Sequence, residues 1–207
     1  VVPEGNTVFK VGEDGSLYSG GALAVYVENP SGGSVYTVPS HVTDIGAYAF
    51  VGRDFETLII PKTVRTIGDY AFQNCLILKN VTFEAGTEGL TIGKNAFYKC
   101  AALESVKFPA RLVSLGNTAF QGCTALTNVV FPDDCRITLI PSTAFRECSS
   151  LTSNRIPANV TELGSNAFRE TSLTEVVFAP GNQLQTIGGS AFWGVKTLTS
   201  FVIPDTV

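Results

Sequence analysis

Phe108-Pro109-Ala110-Arg111-Leu112-Val113-Ser114-Leu115-Gly116-Asn117-Thr118-Ala119-Phe120-Gln121-Gly122-Cys123-Thr124-Ala125-Leu126-Thr127-Asn128-Val129-Val130-Phe131-Pro132 is one turn of a repeat, and most of the chain is built from such turns. Its Ala-Phe dipeptide recurs with Phe at 50, 72, 97, 120, 145, 168 and 192, at steps of 22, 25, 23, 25, 23 and 24 residues. Self-similarity at a fixed period of this size marks a solenoid, in which no unit closes a core alone and equivalent apolar residues stack into ladders. Seven coils at about 4.8 Å each predict a sheet roughly 34 Å long.

Within the coil, Leu126, Val129 and Phe131 alternate with polar or β-branched residues as in a short strand, and Pro132, lacking an N–H, ends the ladder. A second extended stretch turns Leu115 inward, and the Gly behind it, at 46, 68, 93, 116, 164 and 188, marks a tight corner. Pro141 takes that place in the fifth coil. Its φ is held near about −65°, so the corner does not demand a left-handed residue and the Gly relieves crowding. The segment Gly-x-x-Ala-Phe-x-x-Cys is too short for an independent helix and is expected to form one helical or 3₁₀ turn. The repeated Ala should occupy the most crowded corner of the coil.

Departures from the pattern carry information. Asn154 stands where other coils place an apolar strand residue, so either that strand bulges or a buried amide needs a partner. Arg53, Thr171 and Val195 replace the Cys of the other coils. From the strand-ending residue to the inward Ile or Leu the count is 6 (Pro39 to Ile45), 6 (Pro61 to Ile67), 8 (Glu84 to Ile92), 6 (Pro109 to Leu115), 8 (Pro132 to Ile140), 6 (Pro157 to Leu163) and 8 (Ala179 to Ile187). After the first coil, short and long connections alternate, as in an array grown by copying a two-coil unit. The long ones should bulge into a ridge on one edge.

Composition excludes several classes. A net charge of -4 on 207 residues, with acids and bases scattered, leaves no basic stripe for nucleic acid and no polybasic segment for anionic lipid. The apolar stretches fall far short of the roughly 20 residues of a membrane helix, so no membrane span is expected. The chain contains no Met and starts Val1-Val2-Pro3, and it stops just after Phe201-Val202-Ile203-Pro204, in strand-end phase; the reading expects a piece of a longer array whose leader, if any, was trimmed.

No catalytic residue, metal ligand or cofactor is assigned. Cys75, Cys100, Cys123 and Cys148 each follow the anchor Phe by three residues and so stack in one ladder, while Cys135 lies in a long connection. Stacked side chains run parallel, which disfavours disulfides, and ligands strung over several coils cannot converge on one zinc ion; buried Cys as a small apolar filler is the reading. His41, the only His, neighbours Ser40 and Asp44 in a loop, but adjacent residues cannot be held as a Ser-His-Asp triad requires. Asp133-Asp134 are solvated neighbours in a connection. Asn80-Val81-Thr82 and Asn159-Val160-Thr161 match the N-glycosylation acceptor pattern, which arises often by chance.

The spacing in Ile60-Pro61-Lys62-Thr63-Val64-Arg65-Thr66-Ile67-Gly68-Asp69-Tyr70-Ala71-Phe72-Gln73-Asn74-Cys75 resembles the BspA-like subfamily of leucine-rich repeats, and the match extends over about residues 35 to 207. The resemblance implies a right-handed leucine-rich-repeat solenoid, mainly β with short 3₁₀ or helical turns and a parallel concave sheet. Residues 39–207 are then seven repeats in one continuous solenoid. Residues 1–38 form an N-terminal β-hairpin module continuous with it, in which Phe9–Val11, Asp14–Tyr18 and Leu23–Val27 alternate like strands around Gly-rich turns.

The strand residues between core positions face the concave side: Thr57 and Ile59, Asn80 and Thr82, Ser105 and Lys107, Asn128 and Val130, Ser153 and Arg155, Glu175 and Val177, Ser200 and Val202. Small, polar and β-branched, with no aromatic stripe, they are the expected binding residues. They suit macromolecular recognition spread over modest contacts better than a sugar cleft with stacking rings. The family resemblance implies a bacterial, adhesin-like protein, secreted or on the cell surface, whose partner is a host matrix or cell-surface protein. The alternatives are a structural spacer displaying another domain and a glycan-binding module, with carbohydrate as the weaker partner.

Overall fold

The computed structural model describes residues 10–12, 16–19, 21–25 and 34–207. Among the described residues three strands come first: β1 (Lys10–Val11), β2 (Leu17–Ser19) and β3 (Ala22–Val25), antiparallel in sequence order. The expected strand residues Phe9, Asp14, Gly15, Tyr26 and Val27 lie outside the described residues. The module joins the array through β3, which pairs in parallel with β5 (Asp44–Ile45).

Each coil then contributes two strands. The longer ones, β4 (Val35–Thr37), β6 (Thr57–Ile60), β8 (Asn80–Phe83), β10 (Ser105–Lys107), β12 (Asn128–Val130), β14 (Ser153–Ile156) and β16 (Glu175–Phe178), form one parallel sheet of seven strands. The shorter ones follow the connections. β5, β7 (Thr66–Ile67), β9 (Leu90–Ile92) and β11 (Leu112–Leu115) continue the N-terminal sheet, whereas β13 (Leu139–Ile140), β15 (Glu162–Leu163) and β17 (Thr186–Ile187) form a separate one.

The break between β11 and β13 falls at Pro141. In other coils the corner Gly donates its N–H to the preceding coil, as Gly68 does to Ile45 O at 2.8 Å and Gly164 to Ile140 O at 2.7 Å. Proline has no N–H to give. The anchor rings report the same junction: their centroids stack at 4.8, 5.1 and 5.0 Å from Phe50 to Phe120, then 5.7 Å between Phe120 and Phe145. The wider spacing persists to Phe192, at 5.5 and 5.6 Å.

The corner glycines carry no positive φ and are there for want of space. A Cβ on Gly116 would lie 2.4 Å from Gly93 C, and one on Gly164 2.4 Å from Ser142 N. The seven anchor Ala residues, from Ala49 to Ala191, are all buried, at 0–3% exposure.

Between corner and Cys, no helical turn forms; the structure corrects that expectation. The residue before each Ala (Tyr48, Tyr70, Asn95, Thr118, Thr143, Asn166, Ser190) and the second after each Phe (Gly52, Asn74, Lys99, Gly122, Glu147, Glu170, Gly194) have φ between 55° and 75°. Left-handed residues interrupt any helix, and here they turn alternate N–H groups along the stacking axis. Tyr48, Phe50 and Gly52 donate to Asp69 O, Ala71 O and Gln73 O of the next coil at 3.0, 2.7 and 2.8 Å, while Ala49, Val51 and Arg53 close local turns on Gly46 O, Tyr48 O and Phe50 O. The same triplet repeats down to Asn166, Phe168 and Glu170, which donate to Gly189, Ala191 and Trp193. Non-Gly residues pay roughly 1–2 kcal/mol each for this conformation, offset by the inter-coil bonds it permits.

Long and short connections differ as their lengths require. Arg136, in the long connection of coil five, donates from Nη2 to Thr87 O of the long connection in coil three at 2.8 Å, passing over the short connection of coil four. Arg111, in that short connection, runs beneath residues 84–91 and donates to Val64 O (2.6 Å) and Pro61 O (3.3 Å), two coils back. Two arginines thus skip a coil, Arg136 between two long connections and Arg111 between two short ones.

Asn154 lies on a regular strand, paired with Val129 and Val176, and neither amide atom of this buried side chain has a hydrogen-bond partner. Its column is otherwise apolar: Tyr36, Leu58, Val81, Val106, Val129 and Val176. Removing an unmet donor and acceptor while keeping the shape should help: Asn154→Val is expected to raise unfolding free energy by about 1–3 kcal/mol in urea titrations. An unchanged or lowered midpoint would show that the amide is satisfied. At the anchor the opposite holds, and Ala119→Leu, forced into a site with 0% exposure, should cost about 3 kcal/mol by the same measurement.

Candidate functional site

The seven-stranded sheet has an inner and an outer face because side chains alternate along each strand. Leu58, Val81, Val106, Val129 and Asn154 point in and are buried. The parallel register then aligns the outward residues in two columns. Val35, Thr57, Asn80, Ser105, Asn128, Ser153 and Glu175 form one; Thr37, Ile59, Thr82, Lys107, Val130, Arg155 and Val177 fall at the matching place two residues on. From Asn80 onward all are exposed, and Thr57 and Ile59 are half-buried. Ser200 and Val202 are exposed too, but they lie in a stretch that forms no strand, so they extend the columns in phase only.

Charge on this face is sparse and partly matched. The Arg155 guanidinium pairs with Asp133 of the long connection at 3.0 Å, so Asp133 of the acidic doublet serves an ion pair. On the rim, just before the strands, Lys79 binds Glu56 at 2.9 Å, and that bond holds the ammonium above its usual range. Exposed Lys107 lies beside a groove of about 440 Å³ that separates the sheet from residues 84–91 and is floored by Phe83 and Phe108. Of the acceptor patterns, Asn80 is exposed on the sheet, whereas Asn159 donates from Nδ2 to Cys135 O at 3.0 Å.

Sequence reasoning missed where the exposed rings go. Tyr48 and Tyr70 stack at 4.8 Å on the turn edge, and Trp193, 55% exposed, lies under Arg169 at 4.2 Å on the same edge. Column position was the available signal: all precede the anchor Ala or follow the anchor Phe by one.

All five cysteines are free and buried. They are more than filler. Cys75, Cys100, Cys123 and Cys148 donate S–H to the carbonyl of the preceding coil's anchor Phe at 3.1–3.2 Å, a longitudinal bond absent from the sequence reading. Burial pushes the Cys100 and Cys148 thiols well up and Cys123 up to about 12. The His41 ring lies tilted against Tyr18, centroids 5.1 Å apart, and Asp44 accepts from Thr43 Oγ1 at 2.8 Å. Among the described residues no His, Cys, Asp and Glu group could hold a metal ion, and no helix is long and apolar enough to cross a membrane.

Stacked coils, parallel strands in register and an anchor Ala-Phe at every turn define a leucine-rich-repeat scaffold. The model of the BspA type leucine rich repeat region matches residues 34–90 and 90–207 in six copies, and the chain belongs to that family. Among solved structures it is similar to the leucine rich repeat protein of T. pallidum, at 28% identity and a TM-score of 0.74 over 99% of this chain and 91% of that one. The pneumococcal vaccine antigen PcpA shares the fold at 20% identity and TM-score 0.74, with 96% of this chain and 71% of that one covered. A leucine-rich repeat protein of Eubacterium ventriosum does so at 24% and 0.59, over 83% and 52%. No curated protein matches the sequence.

The thiol ladder makes a pH prediction. In the unfolded chain thiols ionise near 9.0, whereas folded Cys123 holds its proton to about 12. A raised folded value means stability present in full below the unfolded value and lost as pH rises through that window. Urea midpoints should therefore fall progressively from pH 9 upward. At pH 8 an aromatic disulfide reagent should titrate no thiol in native protein and all five after unfolding; rapid native reaction would contradict the buried ladder.

Proposed function

We propose that the chain is a non-enzymatic, adhesin-like interaction protein, secreted or displayed on a bacterial surface, that binds a host matrix or cell-surface protein across the outward columns of the long sheet. The register of the seven strands carries the reading: it presents two rows of side chains over the whole array, a surface shaped for an extended partner and not for a small molecule. Location at the surface rests on family resemblance. The residues of Asn80, Ser105 and Asn128, small, polar and central, form the middle of the footprint.

Substituting Asn80, Ser105 and Asn128 together with Arg should leave the circular dichroism spectrum unchanged and reduce retention on immobilised collagen, laminin and fibronectin, and on host cells, at least tenfold. A spacer predicts otherwise. If the triple variant, and separately the Ala variants of Lys107, Arg155 and Glu175, attach like the parent, the face is a bare β surface. If the parent is retained on none of the probes and the full-length protein is cytosolic, the adhesin reading fails.

A further inference from the structure

The ridge of long connections encloses a second feature with a chemistry of its own. A groove of about 450 Å³ lies between coil two and the 84–91 connection, lined by Thr43, Lys62, Thr63, Arg65, Thr87 and Glu88. That volume suits a molecule of monosaccharide size. Its polar groups come from two sides: Lys62 and Arg65 project from the short connection of coil two, and the backbone of 85–88 forms the opposite wall.

Two observations point to a negatively charged ligand. First, a positive charge stands behind the wall with nothing to neutralise it. Arg111 is 1% exposed, its Nη1 and Nη2 donate only to the Val64 and Pro61 carbonyls, and its Nε is unbonded. A buried cation without a counter-ion projects its field through low-dielectric surroundings far more strongly than a solvated one.

A Cβ on Gly86 would lie 3.0 Å from Lys62 Cβ and 3.4 Å from Arg111 Cδ, so the connection rests directly on both stems. Second, the local acids are few and weakly held to the groove's cations. Glu84 accepts from the Lys62 backbone N–H at 3.2 Å, and Glu88 is 3.9 Å from Arg65, a distance at which the exposed pair is weak. No carboxylate of the described residues pairs with the Lys62 ammonium.

We propose that this groove is an anion site, taking a sulfate or carboxylate group on Lys62 and Arg65. The shared chemistry is an oxyanion with two or more acceptor oxygens, which the guanidinium can meet in a fork. Its source is either a free inorganic oxyanion or the charged group of an acidic sugar. The site is separate from the sheet columns, so it stands or falls independently of the adhesin reading.

Calorimetric titration with sodium sulfate, sodium glucuronate and neutral glucose, at low ionic strength, tests it. The expected result is binding of both anions, none of glucose, and weakening as salt rises. Glucuronate tighter than sulfate identifies an acidic sugar; equal or weaker glucuronate identifies the inorganic ion. Arg65→Ala, an exposed position that folding does not need, should weaken both anions about tenfold or more, the size of a lost charged hydrogen bond. Arg111→Met, which leaves the groove lining intact, should also weaken binding, and Arg65→Ala keeps the test decisive should that variant unfold. Binding of glucose as strong as that of the anions, anion binding unaffected by Arg65→Ala, or no binding at all would overturn the proposal.

Discussion

The close approach of successive coils at the Ala-Phe corner governs this fold. Three N–H groups per coil reach the next coil's carbonyls there, and they can do so only because two residues per coil are left-handed. Everything at the corner follows from that short distance. Gly is needed where a Cβ would meet backbone at 2.4–2.9 Å, Ala where 0–3% exposure leaves no room for more, and flat Phe rings stack at 4.8–5.7 Å because coil spacing permits little else. The buried thiols add a fourth longitudinal bond wherever Cys occurs.

The same constraint explains the break in the short-strand sheet. Pro141 cannot donate and cannot be compressed as Gly can, so the short-strand sheet ends at β11 and restarts at β13 while the rings open by 0.7 Å, from 5.0 to 5.7 Å. The long sheet passes this junction unbroken, with Ser105, Asn128 and Ser153 still in register. Strain taken up on one side of the coil is therefore kept away from the face that displays the columns.

Most of this architecture was legible in the sequence, since the signals were apolar period, Gly and Pro. The crowding role of the corner Gly could be argued from Pro141 alone, and Asn154 was recognisable as a conflict. What stayed hidden has no compositional mark. The left-handed positions hold Tyr, Asn, Thr, Lys, Glu, Ser and Gly, so nothing but the structure distinguishes two type II-like turns from a helical one. The Cys bonds are invisible because a thiol that fills space and a thiol that donates are the same residue. Arg111 and Arg136 carry no mark of their roles either; only the two-coil gap beneath and between the long connections makes them structural.

Repetition itself decides where individuality can reside. A side chain in a ladder must suit its copies above and below, so most column positions are small, polar or β-branched, with Lys107, Arg155 and Glu175 the charged exceptions, and any recognition is spread thinly. The long connections escape that rule, because every second coil lacks them. There unlike residues meet: Asp133 with Arg155, Arg136 with Thr87, Lys62 and Arg65 with a buried Arg111 behind them. A chain that needs one face for breadth and another for a specific chemical group can obtain both from a single repeat by lengthening alternate connections, without disturbing the corner on which the stack depends.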